Sequence, residues 1–318
     1  MIELRPTREE DLSALSDLWQ ACFGYPASGA EWRWKYRLLP GEGRSLVAVD
    51  GGGRVLAHAG ALRLPACWQG GQGGIWQLVD FAGAAGGGRN GLGGGRGGLR
   101  PPLVALGRRL LTDLPGADDA PWIFGFPSDR HFRLGERVFG YHPLATLEPL
   151  AGALPAGPPP AAARIESGDS CGGWAEAVWE SCGVFGVRRT AAFLNWRYCA
   201  RPVRYYRFYR LFSAAGPAEG LAVFAFVNQE AWATELWLPP PGEWYPSMLA
   251  VAADLRAAGF QSWRFWPPPR DSSHLLAVLG LRPSGERRFL GCRRRAGVVN
   301  PAAAAAGFYY AMGDYDLA

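Results

Sequence analysis

The chain has 318 residues, 48% hydrophobic and 19% charged, which is globular in composition and long enough for two domains of about 100–200 residues each. No apolar run approaches the ~20 residues of a membrane span, and the opening MIELRPTREEDL lacks the apolar core of a secretion signal, so a cytoplasmic chain with no membrane partner is expected. The net charge of +5 suits an anionic small ligand, but the arginines are dispersed and only Arg293–Arg295 form a compact run, so no nucleic-acid partner is expected.

MIELRP reads as a short strand, followed by a capping box in which Thr7 caps a helix and Glu10 returns the bond. Leu12, Leu15, Trp19 and Cys22 recur at helical spacing until Gly24 and Pro26 end the run. After EWRWKYRLLP, the stretch SLVAVDGGGRVLAHAGALRLPA predicts a hairpin turning at Asp50–Gly53. The strand GIWQLVDFAG leads into a glycine-dense loop, a helix over Leu103–Leu114, the strand PWIFGFP, a helix over Ser128–Arg137 and then GYHPLATLEPL.

AGALPAGPPPAAA, Ala151–Ala163, has the composition of a linker and sets the expected boundary between an N-terminal domain, 1–150, and a C-terminal domain, 164–318. Beyond it helices are predicted over Trp174–Ser181 and Arg189–Tyr198, then the strands YYRFYRLF, GLAVFAFV and WATELWL. The helix YPSMLAVAADLRAAG, the strand SWRFWP, the helix SSHLLAVLG and the strand ERRFLGCR complete the order.

Three short matches recur in the same order in both halves, the mark of a duplication. Trp34-Lys35-Tyr36 with Pro40 matches Trp196-Arg197-Tyr198 with Pro202; Trp122, Phe124 and Pro127 match Trp263, Phe265 and Pro268; Gly140-Tyr141-His142-Pro143 matches Gly280-Leu281-Arg282-Pro283. The six cysteines are scattered without a C-x-x-C pair and the four histidines show no ligand spacing, so no metal is expected.

The order strand, helix, aromatic segment, hairpin, strand, glycine-rich loop, helix, strand, helix, strand resembles the GNAT superfamily of acyl-CoA N-acyltransferases. The likeness is carried by IELRPTREEDLSAL, WRWKY, VDFAG, GRNGLGGG, FGFPSDRHF and FGYHP in the first half, and by FLNWRYCARP and FYYAMGDYDLA in the second. It implies an α/β (α+β) fold of two tandem GNAT-like domains, each a mixed, mostly antiparallel sheet flanked by helices. It also implies acyl-CoA, acetyl-CoA in the first instance, as co-substrate, and a small-molecule amine such as an amino sugar, amino acid or amine metabolite as acceptor. The alternative is a catalytically inactive GNAT-like binding or assembly protein.

The family's cofactor loop, Q/R-x-x-G-x-G/A, aligns with Arg89, Asn90, Gly91, Leu92, Gly93 and Gly94 one residue short of register. Successive N–H groups in such a turn form an anion nest; a flexible insertion with no ligand role is the other reading. In the second half LPPPGEWYP stands at that place, and prolines donate no N–H, so the acyl-CoA site is expected in the first domain and the second is a degenerate copy.

The resemblance places the backbone of Phe81 and Ala82 at the thioester, and Asp80 as a base, a ligand for the substrate ammonium, or a structural partner of the loop. Glu136 stands where many family members carry the tyrosine that protonates the thiolate. Tyr141 is the nearest phenol, as acid or core residue, and His131 is a second base candidate or a partly exposed helix histidine. Trp34, Tyr36 and Phe126 are expected in the core or the wall of the substrate cleft. Asp314 and Asp316 in the aromatic tail either favour a cationic amine or pack structurally.

Overall fold

In a computed structural model of the chain, residues 1–68, 71–84, 101–114, 122–182, 185–203, 205–215, 219–239, 243–266, 273–294 and 308–315 are described. Contacts divide the chain into two units: Met1–Leu64, Gly73–Pro143 and Gly291–Val298 make unit 1, and Pro65–Gln72, Leu144–Leu290 and Val299–Ala318 make unit 2.

The chain opens with β1 (Glu3–Pro6), a 3-10 turn (Glu9–Asp11) and α1 (Leu12–Phe23). The expected cap of Thr7 and Glu10 is displaced. The Arg8 N–H donates to Asp11 Oδ2 at 2.8 Å, while Arg5 donates to both Asp11 oxygens at 2.7 and 2.8 Å. A carboxylate already fixed by a two-pronged guanidinium is the stronger acceptor, and the Thr7 hydroxyl is instead hydrogen-bonded to Ser45 Oγ at 2.7 Å. α1 ends on Gly24 in the left-handed conformation, φ 82°, as the sequence predicts. Ser28 and Glu31 form a reciprocal cap for α2 (Gly29–Tyr36).

β2 (Glu42–Val49) and β3 (Val55–Trp68) form the hairpin, with Asp50 accepting from the N–H groups of Gly52 and Arg54. β4 (Gly71–Gly83), α3 (Pro101–Asp113), β5 (Trp122–Gly125), α4 (Asp129–Phe139) and β6 (Tyr141–Leu147) follow. α3 includes Pro101 and Pro102, two residues ahead of the expected Leu103, because the first turn of a helix needs no N–H from them.

β7 (Leu150–Ala153), β8 (Arg164–Gly168), α5 (Trp174–Cys182) and β9 (Phe185–Val187) come next. α6 (Ala191–Leu194) then runs into a π-helical turn (Asn195–Cys199). The remaining elements are β10 (Tyr206–Phe212), β11 (Glu219–Val227), β12 (Glu230–Trp237), α7 (Tyr245–Ala257), β13 (Ser262–Phe265), α8 (Ser273–Val278), β14 (Arg282–Pro283), β15 (Arg288–Arg294) and β16 (Phe308–Tyr309).

One sheet follows the order β1-β2-β3-β4-β5-β15-β6, and the other follows β8-β10-β11-β12-β13-β7-β14. The two orders correspond strand for strand. β4–β5 and β12–β13 are parallel pairs at the same place in the two orders, and each is bridged by the helical crossover that a parallel connection needs, α3 in one and α7 in the other. The duplicated glycines also match in conformation: Gly140 and Gly280 are both left-handed, with φ 67° and 82°.

The sixth strand of each sheet comes from the opposite half of the sequence. β7 lies between β13 and β14, and β15 lies between β5 and β6. The expected boundary at 151–163 therefore differs from the observed division, since Leu150–Ala153 is a strand and Gly291–Arg294 belongs with unit 1. Small side chains here reflect close packing rather than a linker: a Cβ on Gly152 would lie 3.0 Å from the Gly280 carbonyl oxygen. The core of unit 2 gathers Leu211, Phe224, Met248, Val251, Leu255, Trp263 and Phe265.

Candidate functional site

The parallel β4–β5 ladder runs from Trp76 opposite Ile123 to Leu78 opposite Gly125, where β5 ends. β4 continues to Gly83. Its last residues thus extend past β5 and leave a notch at the C-terminal ends of two parallel strands, where main-chain groups can meet an extended ligand. Asp80 stands in this stretch with φ 53°, a left-handed conformation uncommon for a residue other than glycine.

A buried network holds Asp80 there. Lys35 Nζ donates to its two oxygens at 3.1 and 3.0 Å, and the Tyr36 hydroxyl donates to Oδ2 at 2.6 Å. The Lys35 and Asp80 side chains are only 6% and 3% exposed. His58 Nδ1 lies 2.8 Å from the Asp80 carbonyl oxygen and so carries the ring proton. Nε2 then accepts from Ser45 Oγ at 2.8 Å. Burial pushes the His58 imidazole down to about 4, the Lys35 charge adds to this, and the Asp80 carbonyl opposes it. The ring is neutral near neutral pH. Lys35 also sits 5.4 Å from the centre of the Trp19 ring.

Unit 2 repeats the motif with different cations. The Tyr198 hydroxyl donates to Glu235 Oε1 at 2.7 Å, and Glu235 stands two residues past Ala233, where the β12–β13 ladder ends opposite Phe265. Asp80 likewise stands two residues past Leu78. The cation on Glu235 is Arg189, at 3.3 Å, which also donates to Asp314 at 2.6 Å. Burial works against the Arg189 charge, but Asp314 and Glu235 outweigh it and hold the guanidinium above its ordinary value. Burial raises Glu235 in turn. Arg197, the sequence counterpart of Lys35, donates to the carbonyl oxygens of Gly313 and Tyr315 at 2.7 and 3.0 Å.

Of the residues expected in the site, Asp80, Tyr36 and the start of the Phe81–Ala82 segment come together in unit 1. Both carboxylate oxygens of Asp80 are occupied by Lys35 and Tyr36, which suits a structural anchor better than a free base. Phe81 is half-buried and stacks edge-to-face on His131 at 5.3 Å, while Ala82 is buried. His131 Nε2 is buried without a hydrogen-bond partner, and burial lowers the ring to about 4. An unsatisfied buried nitrogen calls for an explanation.

Glu136 is exposed on α4, and Tyr141 is buried against Phe139 at 5.8 Å, its hydroxyl pushed above the ordinary range by burial. Trp34 is a core residue, and Phe126 is half-buried with its ring 6.0 Å from Phe124. Asp314 is buried in unit 2 on Arg189 rather than open to an amine. Arg89, Asn90, Gly91, Leu92, Gly93, Gly94 and Asp316 lie outside the described residues. Pro101 and Pro102 remove two of the N–H groups that the start of α3 would otherwise present, so an anion there would depend on the preceding loop.

Sequence reasoning passed over Lys35, His58, Arg189 and Glu235. The duplicated W-K/R-Y pattern and a lone acid within the apolar strand WATELWL were the available signals for Lys35 and Glu235. A cleft of about 530 Å³ also opens in unit 1, lined by Arg108, Thr112, Val138, Phe139, His142 and Arg293 among others. Among the described residues no group of three or more His, Cys, Asp or Glu is arranged to hold a metal ion.

Two mixed sheets of corresponding order, each with a parallel pair opened at its C-terminal end at the same place in that order, have the tandem fold of the GCN5-related N-acetyltransferases. The chain is similar to a tandem GNAT protein from the clavulanic acid biosynthesis pathway, with 14% identity, a TM-score of 0.61, and 94% of this chain and 100% of that one covered. It is also similar to a probable N-acyltransferase from Enterococcus faecalis V583, with 14% identity, a TM-score of 0.64, and 92% and 72% covered. A GCN5-related N-acetyltransferase from Anabaena variabilis ATCC 29413 gives 12% identity, a TM-score of 0.63, and 92% and 73% covered. No protein-family model and no curated protein matches the chain. No described helix is long and apolar enough to cross a membrane.

Proposed function

We propose that unit 1 binds acyl-CoA, acetyl-CoA in the first instance, and transfers the acyl group to the amine of a small molecule by direct attack. The observation that carries this reading is the notch where β4 outruns β5, with Asp80 fixed in a left-handed conformation beside it. A pantetheine arm is extended and carries two amides, so it can lie along such an edge as an added strand. The glycine-rich segment after β4 supplies N–H groups for the pyrophosphate.

In the reaction the amine nitrogen attacks the thioester carbonyl carbon, the C–S bond breaks as the tetrahedral intermediate collapses, and CoA leaves as a thiolate. The amine proton goes to a base, and the thiolate takes a proton from water. His131 is the base this reading assigns on geometry: its Nε2 has no other partner and it packs on Phe81 immediately after Asp80, while burial, which lowers the ring to about 4, keeps it neutral but makes it a weak base. Asp80 acts as a positioning residue that fixes the path of β4 through Lys35 and Tyr36.

An inactive binding protein is the second reading, favoured by the exposed Glu136 at the place of the family's acid and by the fully engaged Asp80. CoA release with acetyl-CoA and a panel of amines separates the two. The first reading expects turnover that falls about 10²–10⁴-fold in His131→Gln with little change in acetyl-CoA affinity. Binding without turnover on any amine establishes the second, and full activity in His131→Gln removes His131 from the mechanism.

A further inference from the structure

The C-terminal segment of unit 2 crosses the place where β12 and β13 part. β16 pairs in parallel with β9, and the Tyr309 hydroxyl donates to the Leu236 carbonyl of β12 at 3.2 Å. Tyr309 also packs edge-on to Trp179 and Trp237 at 5.4 and 5.9 Å. Further along, Gly313 is pressed against β12: a Cβ there would lie 3.0 Å from the Thr234 carbonyl oxygen and would overlap the Tyr198 hydroxyl. Tyr315 then meets Trp266, the residue after β13, with ring centres 5.6 Å apart. The segment therefore runs from Leu236, past Thr234, to Trp266, and spans the opening beyond the Ala233–Phe265 pair.

Its fixings come from the motif that unit 1 uses around Asp80. Arg197 holds the Gly313 and Tyr315 carbonyls, Arg189 holds the Asp314 carboxylate, and Asp314 caps the local turn by accepting from the Ala311 N–H at 2.9 Å. Met312, Gly313 and Asp314 are all buried. Glu235 and Trp266, which flank the segment, are 1% and 7% exposed.

We infer that the opening between β12 and β13 is a peptide-binding cleft whose ligand is the chain's own segment Phe308–Tyr315, which lies where a pantetheine arm would lie and leaves unit 1 as the single acyl-CoA slot. The comparison with pantetheine rests on the function proposed for unit 1; the occupancy of the cleft by the segment does not.

Hydrogen exchange on the intact chain, without CoA, tests the occupancy. Asp314 and Tyr315 donate to Ala311 and Met312 at 2.9 and 3.0 Å, and their amides are expected to exchange at least ~100-fold more slowly than in an unstructured peptide. Gly313→Leu places a side chain against Tyr198 and Thr234 and is expected to abolish that protection and raise iodide quenching of tryptophan fluorescence. A chain ending at Gly307 shows the same rise in quenching if the Leu variant does not fold. Free-peptide exchange rates in the intact chain, or quenching unchanged in both variants, overturn the inference. Acetyl-CoA titration of the intact chain adds a separate arm: two equivalents bound overturn the single-slot claim, whereas no binding with protected amides sinks the acyl-CoA reading and leaves the segment's occupancy standing.

Discussion

Replacing Lys35 by Met removes the ammonium from a carboxylate that has almost no access to water, because the Lys35 and Asp80 side chains are 6% and 3% exposed. Burying an unpaired charge is costly, and breaking a buried pair from one side commonly costs about 3–5 kcal/mol. The Tyr36 hydroxyl, 2.6 Å from Oδ2, stays in place and offsets a minor part of this. Changing the carboxylate to a neutral amide in the same background removes the stranded charge, and Asn tolerates the left-handed φ of 53° at position 80. Lys35→Met/Asp80→Asn is therefore expected to be at least ~1.5 kcal/mol more stable than Lys35→Met alone, a coupling larger than the ~0.5 kcal/mol scatter of independent sites. Urea denaturation followed by fluorescence and circular dichroism measures all four members of the cycle. A loss below ~1 kcal/mol in Lys35→Met, or additive effects in the double variant, would refute the claim that this pair is buried and mutually dependent.

Three further outcomes follow from particular contacts. His58 is held neutral with its ring lowered to about 4, below the ~6.5 of an unfolded histidine, so the unfolded chain takes up its proton first as pH falls. Its contribution is complete above pH ~6.5 and is lost between ~6.5 and 4, about 3 kcal/mol in all; denaturation at stepped pH should show this slope, and His58→Gln should flatten it. Gly60→Ala sets a Cβ on the Tyr36 hydroxyl and forces it off Asp80, which is expected to cost at least ~1.5–3 kcal/mol, the worth of a hydrogen bond to a charged group, in the same urea assay. Fragments 1–154 and 155–318 each lack the sixth strand of one sheet, β15 and β7 respectively, so neither alone should give a cooperative melt, while the co-expressed pair should recover one.

The fold was largely legible because the signals that define it are local. Hydrophobic period, capping residues and turn glycines located α1, the β2–β3 hairpin, β4, α4, β10–β13 and α7. The duplication was visible because the same corner recurs in both halves, and its tyrosines, Tyr36 and Tyr198, meet the acid at the same strand position of each sheet, Asp80 and Glu235. The exchange of β7 and β15 was not legible, since an Ala- and Gly-rich strand in a crowded sheet has the composition of a linker and its partners are remote in sequence. Asp80 was found, but its company was not: the residues that fix it, at positions 35, 36 and 58, converge only through sheet register and helix packing. The sequence leaves Asp314 between a partner for a cationic amine and a packing role, because no pattern in the chain reveals that Arg189 lies 2.6 Å away.

The central claim, that unit 1 is an acyl-CoA slot entered along β4, is tested most directly by calorimetric titration of acetyl-CoA into the intact chain and into a variant with prolines at Gly91 and Gly93. One equivalent is expected to bind with a micromolar Kd, with a loss of at least ~10-fold when the loop N–H groups are removed. No heat of binding at millimolar acetyl-CoA, or an affinity unchanged by the prolines, would contradict it.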